Sequence, residues 1–192
     1  MSNPRSLFGG AIAAYIPDNF LDASTLREIP DNQEVFVSVN SDQSIIIELL
    51  QLADEAPDED AAKYHFEQLA SDNEAESWSI ESVIPLSQTE LPHIPSDARI
   101  YFLTGRQVIS KFKEHTPGSR NLVDIYLTLI RLPSITTDII ITYNSPVIIG
   151  EESSSRILQE SAESGSVGQQ QVFVGLKQTL ESLQILDWGL FR

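Results

Sequence analysis

Apolar and polar positions alternate most clearly in the second half of the chain. Ile125, Leu127 and Leu129 alternate with Asp124, Tyr126 and Thr128, and Ile139, Ile141 and Tyr143 alternate with Asp138, Ile140 and Thr142. A period of two is the mark of strands with one strongly buried face. The short Leu132-Pro133-Ser134 link predicts that these two strands pair antiparallel. Further strands are predicted over Ala11–Ile16, Glu34–Val39, Trp78–Pro85, Arg99–Thr104 and Gln107–Phe112. Gly9-Gly10 reads as a tight turn, Thr104-Gly105 as a turn or bulge, and Pro146 as the end of the last strand.

A period near 3.6 predicts the helices. One is expected from Ser41 and Asp42, with Ile46, Leu49, Leu50 and Ala53 on its apolar face. A second starts after Pro57-Asp58 and carries Ala62, His65, Phe66 and Leu69. A last one carries Phe173, Leu176, Leu180 and Leu183 and leads into the tail Trp188–Arg192. Ser24 is the expected N-cap of a single helical turn between Asp22 and Ile29, which Pro30 stops. The acidic stretch Asp54–Asp60 is expected to be solvated. Residues 151–171, rich in Ser, Glu, Gln and Gly, read as a flexible surface loop. Hairpin strands with helices grouped before and after them predict an α+β fold, in one domain spanning 1–192.

Charge narrows the partners. With 28 acidic against 12 basic side chains, the net charge is −16. Nucleic acid and anionic membranes call for the opposite sign, whereas a basic protein surface would be steered inward. Without cysteine, neither disulfides, nor thiolate zinc sites, nor a thiol nucleophile is available. The start Met-Ser-Asn-Pro-Arg-Ser has no apolar core and no apolar run reaches about 20 residues, so a soluble intracellular protein is expected.

Catalytic motifs are missing. The chain has no phosphate-binding G-x-x-x-x-G-K-[ST], no G-x-G-x-x-G and no G-x-S-x-G elbow. His65, His93 and His115 lack metal-ligand spacing, and His65 shares its helix face with Phe66 and Leu69, as a satisfied core histidine would. In Pro30-Asp31-Asn32-Gln33-Glu34, two carboxylates bracket two amides between a proline stop and a strand. Spacing alone favours a turn in which Asp31 bonds backbone amides. An acid/base pair would need a nucleophile or metal that nothing nearby supplies. The same spacing also permits a rigid acidic knob suited to a basic partner.

Several blocks resemble the Ran guanine nucleotide release factor family, the Mog-type proteins. They are Leu7-Phe8-Gly9-Gly10-Ala11, Phe20–Glu28, Pro30–Phe36, Asp42–Leu50, Tyr64–Glu67, Leu129–Leu132 and Thr137–Ile141, with a similar ending around Asp187 and Phe191. The resemblance implies a central antiparallel sheet flanked by helices on both faces, related to the PsbP-like fold. It implies Ran as partner, release of Ran's guanine nucleotide in nucleocytoplasmic transport, a location in the nucleus and also the cytoplasm, and no cofactor. A monomer is expected. The family's Ran-binding carboxylates fall on Asp31 and Glu34; Asn32, Gln33, Asp22 and Arg27 are added as their neighbours. Two other readings stand beside this one. An acidic adaptor would hold Ran or another basic protein without changing nucleotide exchange, and a small-molecule or enzymatic α+β domain would show a deep pocket with convergent polar groups.

Overall fold

The computed structural model describes residues 3–110, 120–150 and 166–191. Its strands are Arg5–Leu7 (β1), Ile12–Ala14 (β2), Phe20–Asp22 (β3), Gln33–Ser38 (β4), Ser44–Gln51 (β5), Ser77–Leu86 (β6), Arg99–Ser110 (β7), Arg120–Leu132 (β8), Thr137–Ile148 (β9) and Gln184–Ile185 (β10). Its α-helices are Asp58–Asp72 (α1) and Ser166–Ser182 (α2). The large sheet is antiparallel in the order β3-β4-β5-β9-β8-β7-β6, and a small sheet follows the order β1-β2-β10.

The register explains the layers. Along β8, Val123, Ile125, Leu127 and Leu129 turn toward α1, where they join Ala61, Ala62 and Phe66. Tyr126, Ile130 and Leu132 turn the other way, toward Leu7 and Ile12 of the small sheet and Val172, Leu176 and Leu180 of α2. Each face of the large sheet therefore carries a helix, as expected. The β8–β9 hairpin also pairs antiparallel as the alternation predicts, with Ile130 opposite Ile139.

Helix α1 begins after Pro57, with Asp58, Glu59 and Asp60 in its first turn, where carboxylates suit the positive end of the helix. His65 on this helix is buried and bonded through Nε2 to Asp138 Oδ2 at 2.8 Å. Arg131, opposite Asp138 in the sheet, grips both carboxylate oxygens at 3.0 Å. Its remaining N–H groups reach the carbonyls of Ala53 and Ala56 and the carboxylate of Asp58. One end of the acidic stretch is thus tied into a buried network. Burial pushes the Asp138 carboxyl up, but hydrogen bonds from His65, Arg131 and the Ala53 amide, with the Arg131 charge, hold it below its ordinary value.

Several local expectations are corrected. The helix expected from Ser41 is strand β5, in which Ile45 and Ile47 face one core while Ile46 and Glu48 face the opposite side. Three consecutive β-branched residues favour that conformation, and the helical spacing of Ile46, Leu49, Leu50 and Ala53 was coincidental. No break occurs at Thr104-Gly105, because β7 runs through it, and the irregularity lies on β6 between Ile80 and Ser82. Glycine is needed at 105 because a Cβ there would stand 2.7 Å from the Phe66 ring and from the Ser79 carbonyl. Phe112 lies outside the described residues.

Three ends also move. Asp22, not Ser24, caps the turn Ala23–Thr25, a 3-10 turn, by accepting the Ser24 N–H. Strand β9 continues past Pro146, which sits opposite Val123 beside a register shift where a missing donor is tolerated. Residues 166–171 belong to α2 instead of a loop, and 151–165 lie outside the described residues. On α2, Val172, Leu176 and Leu180 are buried, whereas Phe173 is 46% exposed.

Candidate functional site

The motif Pro30–Glu34 forms the entrance to β4. Its turn is closed by backbone alone, with the Gln33 N–H donating to the Pro30 carbonyl at 2.9 Å. Asn32 docks this turn onto β5. Its carbonyl accepts the Leu49 N–H at 2.9 Å, and its side-chain amide donates to the Leu49 carbonyl at 3.2 Å. Gln33 donates from Nε2 to Glu48 Oε1 at 2.7 Å, from the position directly opposite in the sheet. Asp31 is left at the tip, exposed, and its carboxylate meets no hydrogen-bond or ion-pair partner among the described residues. The expectation that Asp31 bonds backbone amides within the turn is therefore corrected: the turn holds itself and leaves the charge outward.

Glu34 is placed differently. Side chains alternate along β4, so Glu34 lies on the face opposite Gln33 and shares the side of Phe36. There its Oε1 accepts the backbone N–H of Phe8. That amide is presented by a left-handed segment, with φ of 49° at Phe8, 64° at Gly9 and 98° at Gly10. The Gly9-Gly10 turn is thus confirmed, and it serves to bring the N-terminal segment onto Glu34. Asp31 and Glu34 are close in the chain but not equivalent: one is free at a tip, the other is half-buried and bonded.

Asp22 and Arg27 lie on the connection between β3 and β4. The Asp22 carboxylate accepts the Ser24 N–H at 2.8 Å, and its carbonyl accepts the Thr25 hydroxyl at 2.7 Å. Its first duty is to shape the turn. The Arg27 amide closes that turn onto the Ala23 carbonyl at 3.0 Å, and its side chain is exposed. The structure therefore joins Asp31, Asn32 and Gln33 in one docked turn, sets Glu34 beside them on the other face, and holds Asp22 and Arg27 on the neighbouring connection. Two partners of this site went unseen in the sequence. Glu48 was hidden by the helical reading of β5, and the Phe8 amide carries no side-chain signal at all.

Among the described residues, no nucleophile or metal-binding cluster accompanies these groups. Among the described residues no three His, Asp or Glu side chains converge as a metal site would require. A cavity of about 630 Å³ lies between α2, the start of β3, the link from β4 to β5 and Tyr143 of β9, bordered by Asn19, Asn40, Gln43, Gln171 and Gln178. Among the described residues its titratable wall residue is Tyr143, whose phenol burial pushes far up and so keeps protonated. That wall offers no general base.

Comparison with known proteins bears on the whole chain. Residues 5–146 match the family model described as Ran-interacting Mog1 protein. A zebrafish (Danio rerio) relative named Ran guanine nucleotide release factor is 42% identical over 97% of this chain and 98% of its own length. A fission-yeast (Schizosaccharomyces pombe) relative named nuclear import protein mog1 is 38% identical over 73% of this chain and 75% of its own. Among solved structures, the crystal structure of the Saccharomyces cerevisiae Ran-binding protein Mog1p covers all of both chains with a TM-score of 0.71 at 26% identity. Sequence blocks, sheet order and these likenesses agree, and the chain belongs to the family of Ran-interacting Mog1 proteins.

Proposed function

We propose that this chain binds the small GTPase Ran and promotes release of its guanine nucleotide, as a binding regulator that performs no covalent chemistry. The observation that carries the reading is family membership over most of the chain, joined to an exposed carboxylate at Asp31, without a partner among the described residues, on a turn locked to the sheet. Relatives named for nucleotide release and for nuclear import support a role in nucleocytoplasmic transport, and action in the nucleus is part of the same proposal. The described elements share their buried cores across both sheets and both helices, which supports one Ran-binding unit.

The mechanism follows from charge. A small GTPase holds its nucleotide's phosphates with a lysine and a magnesium ion. A carboxylate that engages such a cation competes with the phosphates and lowers nucleotide affinity. By reciprocity, nucleotide and release factor then weaken each other's binding by the same factor. Asp31 is the carboxylate suited to this contact, because it requires no broken internal bond. Glu34 adds charge nearby and fixes the N-terminal segment against β4.

The test is release of a fluorescent guanine nucleotide from purified Ran, with wild type and with Asp31→Asn. Wild type accelerates release, and the folded Asp31→Asn protein loses most of that effect. Because Asp31 stands at an exposed tip, the accompanying loss of affinity is largest at low ionic strength. Binding without acceleration would replace this reading with the adaptor.

A further inference from the structure

Strand register leaves half of one sheet face without a helix. Helix α1 packs over β6, β7 and β8. On the same side of the sheet, Leu21 of β3 stands opposite Val37 of β4, and Ile46 of β5 stands opposite Val35. Val35 is buried where the turn Ala23–Thr25 packs against β4, but Leu21 is 50% exposed and Val39, next along this face, is 48% exposed. Leu26, at the end of that turn, is 70% exposed. Leucine at such exposure gains nothing within the monomer, and its backbone N–H is fixed to the Ala23 carbonyl at 2.9 Å. Its side chain is thus held out in water on a rigid support.

The border of this patch has a sign. Glu28 and Asp31 are exposed and follow Leu26 within five residues on the same connection, and Glu48 is two residues from Ile46 on the same face of β5, where its bond from the neutral Gln33 amide leaves its charge intact. Arg27 is the basic side chain among them. An apolar centre with a mainly acidic border is complementary to an apolar side chain ringed by lysine or arginine. Asp31, the carboxylate proposed to meet the partner, lies on the same β3–β4 connection as Leu26, five residues further on.

We infer that Leu26, with Leu21 and Val39, is the apolar anchor by which this chain docks on Ran, against an apolar side chain ringed by lysine or arginine, while Asp31 supplies a separate charge contact. This inference rests on the proposed Ran reading. It divides the interface into two parts with different physics: burial of Leu26 is insensitive to salt, whereas the Asp31 contact at an exposed tip is screened by it.

The test compares Leu26→Ser, Leu26→Lys and Asp31→Asn for Ran binding at low and high ionic strength, with thermal melts as the folding control. Leu26 is exposed enough that both variants keep the wild-type melt. Expected is a rise in Kd of about tenfold for Leu26→Ser, by the same factor at both salt concentrations. Leu26→Lys rises further at low salt, because it meets like charge. Asp31→Asn loses affinity mainly at low salt. Wild-type affinity in both Leu26 variants, with Asp31→Asn weakened, overturns the anchor and leaves the Ran reading intact. Failure of wild type itself to bind Ran removes both. Self-association of the wild type that Leu26→Ser abolishes would give the patch to a second copy and overturn the assignment to Ran.

Discussion

At the scale of the residue, the two motif carboxylates separate by what they already touch. Asp31 has nothing to lose within the fold, so Asp31→Asn should leave stability within about 0.5 kcal/mol of wild type. Glu34 accepts a backbone N–H from Phe8 and anchors the N-terminal segment. Its replacement by alanine strands that half-buried amide, at a cost of about 1–3 kcal/mol. Glutamine keeps an acceptor oxygen at the same reach while removing the charge. Urea unfolding should therefore rank Glu34→Gln close to wild type and Glu34→Ala clearly below it. Equal midpoints for the two variants would show that the Phe8 contact contributes nothing. Glu34→Gln is then the better probe of partner binding, because a loss of affinity in it reports charge alone.

Among the elements, α1 is tied to the sheet by one buried ion group. Asp138 is fully buried, bonded to His65 of α1, to Arg131 of β8 and to the Ala53 amide. Its folded value lies below its ordinary value of 3.8. The network's contribution is therefore complete above about pH 4 and is lost as pH falls through the lower, folded value. Asp138→Asn leaves the buried Arg131 guanidinium with only the half-exposed Asp58 carboxylate as counter-charge, which costs about 3 kcal/mol at neutral pH. Denaturant midpoints measured from neutral to strongly acidic pH should show a steep acid loss in wild type and a shallower one in the variant. Parallel curves would mean that another carboxylate governs acid unfolding. Leu50, paired with Asp138, directly follows Leu49, whose backbone holds Asn32, so the network that ties the layers together stands one strand away from the Pro30–Gln33 turn.

For the whole molecule, the net charge of −16 acts over distances that no single contact reaches. It should speed encounter with a basic partner and do little to hold it once docked. The association rate with Ran is expected to fall steeply as ionic strength rises, with a much smaller change in the dissociation rate. Stopped-flow mixing across a salt series measures both. An association rate that ignores salt would confine the role of charge to Asp31 and its neighbours.

What the sequence determined by itself was whatever local chemistry repeats or excludes. Alternation in β8 and β9 and their short link predicted the central hairpin, the absent motifs and cysteines removed whole classes of chemistry, and ordered blocks of residues identified the family. The segment Ser44–Gln51 shows where this stops. Its apolar residues satisfy both periods, and only pairing with β4 and β9 on its two sides makes it a strand. Gly105 likewise looked like a break until Phe66, far away in the chain, occupied the space a Cβ would need. The motif carboxylates were visible as residues but not as partners. Which of them is free depends on a backbone amide 26 positions away, delivered by a left-handed turn. Local patterns record the preference of a segment for a conformation. Which neighbour arrives to satisfy, bury or leave open a given group is decided by contacts between distant parts of the chain, and only the tertiary structure contains those.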